Sequence, residues 1–177
     1  MIPTEARAKA LWEKYRLPEQ KRIHVLLVAR VAMFFATKFQ VDKKLLLAAA
    51  LLHDIDKAVP PFPGERHPDT AVRILREEGM GEVADLVRTH PLHSILDVKI
   101  APKTREEKLL YLADKMVKYD IVGVDKRFAL WNEEHLPLTE QAIIDTCYPK
   151  VKELEQEVFG LAQISLDDIL KMKEVPV

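Results

Sequence analysis

Apolar residues recur along most of the chain at intervals of three and four, the spacing that places them on one face of an α-helix. The pattern is clear after Glu19, where Ile23, Leu26, Leu27 and Val31 share a face. Alternating β-branched residues, which would indicate strands, are almost absent, and glycine occurs only five times. The sequence therefore predicts an all-α fold, with a single domain formed as a helical bundle.

Capping residues and prolines divide this pattern into separate helices. Helices are predicted over residues 4–16, from 19 onward, 42–57, 67–79, 81–90, 104–119 and, in the last third, around 148–159 and 166–172. Segment 58–66 contains three prolines and a glycine, so it is predicted to be a loop. The helix that contains residues 45–52 is apolar almost all the way round, and we expect it at the centre of the bundle.

Length and composition narrow the class of protein. The 177 residues are enough for one domain with a hydrophobic core, and we expect residues 1–177 to form it, with the motifs in about 20–125 and the helices of about 126–177 completing the bundle. The formal net charge of −1 gives no basic excess for nucleic acid or an anionic membrane. Cys147 is the single cysteine, and no apolar run is long enough to span a membrane. These features predict a cytoplasmic protein that binds neither nucleic acid nor membrane.

Polar residues interrupt the apolar stretches of three predicted helices. His24 lies inside one stretch, His53 and Asp54 follow residues 45–52, and Asp114 ends a third run. A buried, ionised aspartate costs several kcal/mol unless it is paired or binds a cation. Taken singly, each residue is compatible with a structural role, such as a histidine bonded to a carbonyl. Together they favour a shared divalent cation, because imidazole and carboxylate groups suit Mn, Fe, Co, Ni or Zn.

The same residues carry a family resemblance. His24, the segment 51–57 (LLHDIDK) and the segment 110–115 (LYLADK) resemble the HD-domain phosphohydrolase superfamily. The resemblance implies a helical HD-type bundle in which His24, His53, Asp54 and Asp114 bind metal. It also implies that a water or hydroxide activated by the metal hydrolyses a phosphate ester or anhydride in a nucleotide-like substrate. The expected cofactor is one or two divalent metals, drawn from Fe, Mn, Ni, Co and Zn, with Mg as a further candidate.

Histidines between the His-Asp pair and Asp114 decide between one metal and two. The patterns ERHP at 65–68, RTH at 88–90 and YLAD at 111–114 are similar to a bacterial subgroup that hydrolyses dinucleoside polyphosphates. This resemblance implies that His67 and His90 bind a second metal and that Asp54 bridges the two metals. His93 is an alternative ligand or a substrate contact.

Charged residues near these motifs are candidates for substrate binding and catalysis. Asp54 and Lys57 are the predicted catalytic residues; Lys57 would contact a substrate phosphate, although a lysine there could also stabilise the helix end. Arg88 and Lys118 are weaker candidates for phosphate contacts. Asp56 is a candidate partner of a metal ligand or a general acid.

The sequence leaves other functions open. A di-iron oxygenase of the same fold would consume oxygen, whereas a hydrolase would release phosphate with Mn or Ni. A nucleotide-sensing module without catalysis, or a purely structural bundle, would show no turnover. The expected partner is a small phosphorylated molecule of nucleotide type, and the amphipathic last third is compatible with a homodimer.

Overall fold

The computed structural model describes residues 1–172, and within them α-helices are the main secondary structure, with no β-strand. This confirms the predicted all-α fold. No helix of the described residues is long and apolar enough to cross a membrane. In chain order the helices are α1 (Glu5–Lys14), α2 (Glu19–Phe35), α3 (Lys43–Leu52), α4 (Asp69–Glu77), α5 (Gly81–Val87), a 3₁₀ helix (Leu92–Leu96), α6 (Arg105–Lys115), α7 (Val124–Asn132), α8 (Leu138–Ala162) and α9 (Leu166–Lys171).

Helix α3 lies at the centre of the bundle, as its apolar surface predicts. It packs against α1, α2, α5 and α6. Its start is fixed by Asp42, whose side chain accepts hydrogen bonds from the backbone N–H groups of Lys44 and Leu45 at 2.9 and 3.0 Å. Such a cap satisfies donors that a helix start leaves without intrahelical partners. Polar residues that follow α3 therefore enter the middle of the molecule.

Helices α3 and α6 end earlier than the sequence pattern indicates. Helix α3 ends at Leu52 rather than near Lys57, and it continues as tight turns in which Lys57 N donates to Asp54 O at 3.1 Å. Helix α6 ends at Lys115 rather than Tyr119. After α6 the chain turns back sharply. Both corrections matter for function, because the non-helical segments hold or flank the candidate ligands.

Helix α8 is longer than predicted. It begins at Leu138, ten residues before the predicted start, and continues through Pro149. Proline inside a helix removes one hydrogen bond and costs about 3 kcal/mol. The buried apolar side chains of α8 follow the spacing of a packed helix face and offset this cost; they are Ile144, Cys147, Val151, Leu154 and Val158.

Candidate metal centre

His53 and His90 each follow a helix, His53 directly after α3 and His90 three residues after α5. His53 Nδ1 lies 2.8 Å from Ala50 O, and His90 Nδ1 lies 2.6 Å from Val87 O. Each acceptor is the carbonyl three residues earlier, one of the groups that a helix C-terminus leaves unbonded. A proton on Nδ1 satisfies that carbonyl and leaves the Nε2 lone pair free to face the centre of the molecule.

His24 and His67 present Nε2 to the same place from other elements. His24, on α2, has Nδ1 3.4 Å from Lys118 O. His67, in the loop before α4, has Nδ1 2.8 Å from Asp56 Oδ2. Oxygen partners of this kind orient metal-binding imidazoles and make them more basic. All four imidazoles thus have the second-nitrogen partner that metal ligation requires.

His24, His53 and Asp114 form the first group that could hold a metal ion. The His24 Nε2–Asp114 Oδ1 distance is 3.0 Å, the His53 Nε2–Asp114 Oδ1 distance is 3.5 Å, and the two Nε2 atoms are 3.3 Å apart. Ligands bonded to one transition metal at about 2.1 Å stand about 3.0 to 3.4 Å from one another. The donor spacing therefore fits a shared cation.

Asp54 connects two further groups. One contains His53, Asp54 and His90, and the other contains Asp54, Asp56 and His67. Because Asp54 belongs to both, its position is compatible with the predicted bridging role. The tight turns after α3 allow Asp54 and Asp56 to reach the same region.

Unsatisfied atoms in this second region also fit a cation. His67 Nε2 and His90 Nε2 are 2.9 Å apart, although both are acceptors when Nδ1 carries the proton. Two facing lone pairs repel each other unless a proton or a cation lies between them. Asp56 Oδ1 is buried and has no hydrogen-bond partner among residues 1–172. A buried carboxylate oxygen of this kind is costly unless it is compensated.

Lysines flank the carboxylate of Asp54. Lys21 Nζ lies 3.0 Å from Oδ2, and Lys57 Nζ lies 3.3 Å from Oδ1. Burial alone raises the pKa of Asp54, but the charges of His53, Lys57 and Lys21 more than offset it, so the pKa stays well below its usual range. Asp54 is therefore ionised and available to a cation across the physiological pH range.

The carboxylate of Asp114 is also paired with a lysine. Lys115 is 2% exposed, and its ammonium group donates to Asp114 Oδ2 and, at 2.7 Å, to His90 O. Burial raises the pKa of Asp114, but the charge of Lys115 and the contacts with the imidazoles of His24 and His53 hold it well below its usual range. Burial lowers the pKa of His90, which favours the neutral imidazole that a metal requires.

A cavity of about 450 Å³ opens above these groups. This volume lies in the range of small-molecule sites. His53 is completely buried below it. The other five predicted ligands line it: His24, Asp54, His67, His90 and Asp114. The weaker predicted contacts Lys57, His93 and Lys118 also line the cavity.

Some predicted roles find no support in the geometry. Arg88 is exposed and does not line the cavity; it lies in the turn that follows α5, two residues before His90. His93 belongs to no group of ligand atoms within the described residues. The loop of residues 58–66 does not line the cavity, and its Phe62 lies under the guanidinium of Arg73, 3.8 Å from the ring centroid.

Several residues of the site were missed in the sequence. Lys21 lies three residues before His24 on the same face of α2, a spacing that could have indicated it. Lys115 directly follows Asp114 after an apolar run, so the sequence could have indicated that this lysine is buried and needs a charged or polar partner. Arg127 and Trp131 line the cavity from α7, and no local sequence signal connects this helix to the ligands.

Comparison with known proteins finds a family and distant relatives. Residues 22–118 match the HD domain family. A tRNA (cytidine(56)-2'-O)-methyltransferase of Picrophilus torridus is 28% identical over 159 residues, which make up 84% of this chain and 44% of that protein. The chain thus spans less than half the length of this relative. No solved structure matches the chain at a significant level.

Proposed function

The chain belongs to the HD domain family, and from this membership we propose that it is a metal-dependent phosphohydrolase. Its substrate would be a phosphate ester or anhydride of nucleotide type. The observation that carries this proposal is the convergence of histidine Nε2 atoms and ionised carboxylates on one cavity. Residues that are distant in sequence and lie on several elements supply these polar groups. A structural core, in contrast, is formed mainly by apolar side chains.

The proposed metal ligands form two sets, which are based on the groups of ligand atoms that lie close together. His24, His53, Asp54 and Asp114 would hold one cation. His67 and His90 would hold a second, with Asp54 shared between the two. Divalent cations, when bound, lower the pKa of water towards neutrality and neutralise charge on a phosphoryl group.

The chain's own cations support chemistry on an anion. Lys21 and Lys57 stand beside Asp54 at the cavity, where each ammonium group could bind a phosphate oxygen. Their charge would stabilise the negative charge that develops on the phosphoryl oxygens during hydrolysis. Lys115 has a different role, because its buried ammonium group holds Asp114 and the carbonyl of His90 in place.

At a finer level, we place the chain nearest the bacterial subgroup that hydrolyses dinucleoside polyphosphates. The support is the additional pair His67 and His90, which faces the cavity beside Asp54. The methyl transfer named for the Picrophilus protein is not proposed for this chain, because the match covers less than half of that protein.

A phosphate-release screen tests the proposed reaction. Protein stripped with a chelator would be reloaded separately with Mn²⁺, Fe²⁺, Co²⁺, Ni²⁺, Zn²⁺ or Mg²⁺ and assayed with nucleotides and dinucleoside polyphosphates. We expect release that depends on metal. Absence of turnover with every metal and substrate, in folded protein with metal bound, would count against the enzyme. Oxygen consumption by iron-loaded protein would instead support the oxygenase alternative.

Replacement of His67 distinguishes one metal from two. His67→Ala removes an Nε2 donor from the second set and leaves His24, His53 and Asp114 unchanged. We expect elemental analysis to show the loss of one of two bound ions, and phosphate release to fall by about 10- to 100-fold. His135→Ala is the control, since His135 is exposed in a loop and does not line the cavity. Equal metal content in both variants would exclude His67 as a ligand.

A further inference from the structure

Arg127, on α7, is a half-buried cation with unmet hydrogen-bonding capacity. Its Nε and Nη1 atoms are buried and have no hydrogen-bond partner among residues 1–172. The guanidinium lies over the ring of Trp131, 3.8 Å from the centroid. Stacking of this kind fixes the plane of the guanidinium but leaves its N–H groups unsatisfied. Buried donors without acceptors are costly, so the arrangement calls for an acceptor.

The guanidinium lies at the proposed active site. Arg127 and Trp131 line the same cavity as the predicted ligands. The lysines that line this cavity already have carboxylate partners, whereas no ion pair to Arg127 is found among the described residues. The lysine pairs are Lys21 and Lys57 with Asp54, Lys115 with Asp114, and Lys118 with Glu134.

Electrostatics also indicate that the positive charge of Arg127 is poorly compensated. Burial lowers the pKa of Arg127, and the more distant charges of Asp114 and Glu134 only partly offset that effect. An arginine stays protonated even so. A phosphate group would supply both a negative charge and two acceptors in the planar, forked geometry that a guanidinium prefers.

We propose that Arg127 binds a phosphate group of the substrate other than the one that reacts at the metals. The substrate class is therefore a nucleoside di- or polyphosphate rather than a simple monophosphate. This inference rests on the proposed function, and it deepens it. It assigns the α7 side of the cavity to the non-reacting part of the phosphate chain.

Kinetics with two substrates test this assignment. p-Nitrophenyl phosphate carries one phosphoryl group, and diadenosine tetraphosphate carries four. For Arg127→Gln we expect kcat/KM for the tetraphosphate to fall by about 10- to 100-fold, mainly through KM, as for a lost charge-assisted hydrogen bond. The value for p-nitrophenyl phosphate should change less than about threefold. Arg127→Lys should recover only part of the loss, because it keeps the charge without the fork.

A binding measurement separates this inference from the proposed reaction. Calorimetric titration of chelator-treated protein with inorganic tripolyphosphate should give a Kd that Arg127→Gln weakens by at least about tenfold. Arg76→Gln, at an exposed arginine paired with Asp85, should leave the Kd unchanged. If wild-type protein shows no turnover but binds tripolyphosphate through Arg127, the result contradicts the proposed hydrolysis and supports the phosphate-binding role of Arg127. Equal losses on both substrates, or a Kd that does not depend on Arg127, would overturn the assignment.

Discussion

Replacement of Asp54 with asparagine is expected to lower kcat/KM for phosphate release by on the order of 10³-fold or more. Removal of a single charge-stabilising group costs other enzymes about 10²- to 10³-fold, and Asp54 belongs to two of the possible metal groups. The amide keeps the shape of the side chain but not its charge. It also leaves Lys21 and Lys57 beside a neutral group, where they would repel an incoming cation.

Metal content should fall in parallel with activity. We expect elemental analysis of Asp54→Asn to give less than one ion per chain after reloading and dialysis. Asp85→Asn is the matched control, because Asp85 is an exposed aspartate paired with Arg76 at 3.1 Å. Retention of both metal and turnover by Asp54→Asn would contradict a bridging or ligating role for Asp54.

Replacement of Lys115 with methionine is expected to destabilise the metal-free protein by about 3 kcal/mol. Removal of one partner from a buried ion pair costs about 3–5 kcal/mol, because the remaining charge is left without compensation. In this protein, Lys115→Met removes the ammonium group that donates hydrogen bonds to Asp114 and to His90 O. Lys115 is almost completely buried, so water cannot replace these hydrogen bonds. Methionine fills similar space, so the loss would reflect charge and hydrogen bonding rather than a cavity.

Urea denaturation with and without Mn²⁺ would measure this effect. Bound Mn²⁺ should recover part of the loss, since a cation at Asp114 replaces some of the missing positive charge. Lys108→Met on the same helix is the control. Lys108 pairs with Glu157 at 2.7 Å on the surface, and such pairs contribute about 0–1 kcal/mol. Similar losses in the two variants would show that Lys115 has no special role.

The sequence was informative wherever a polar residue lay inside an apolar helical pattern. His24, His53, Asp54 and Asp114 could be singled out because a hydrophobic core does not tolerate such groups without partners, and the structure brings them together. The all-α fold and the central position of α3 follow from the same periodicity.

Other parts of the site could not be derived in this way, for physical reasons. The ends of α3 and α6 depend on tertiary contacts, such as those of His53 with His24 and Asp114, which local propensity does not encode. Arg127 reaches the cavity only because α7 packs beside the centre after a sharp turn. The exposed position of Arg88 depends on the turn that follows α5, where the sequence pattern predicts a helix up to His90.

Anomalous diffraction from crystals of Mn²⁺-loaded protein would test the central claim most directly, since it locates the ions without knowledge of the substrate. The account predicts one anomalous peak within bonding distance of His24, His53, Asp54 and Asp114. It predicts a second peak bounded by His67, His90 and Asp54. Crystals with Mn²⁺ bound only elsewhere, or with no peak at these side chains under saturating Mn²⁺, would contradict it.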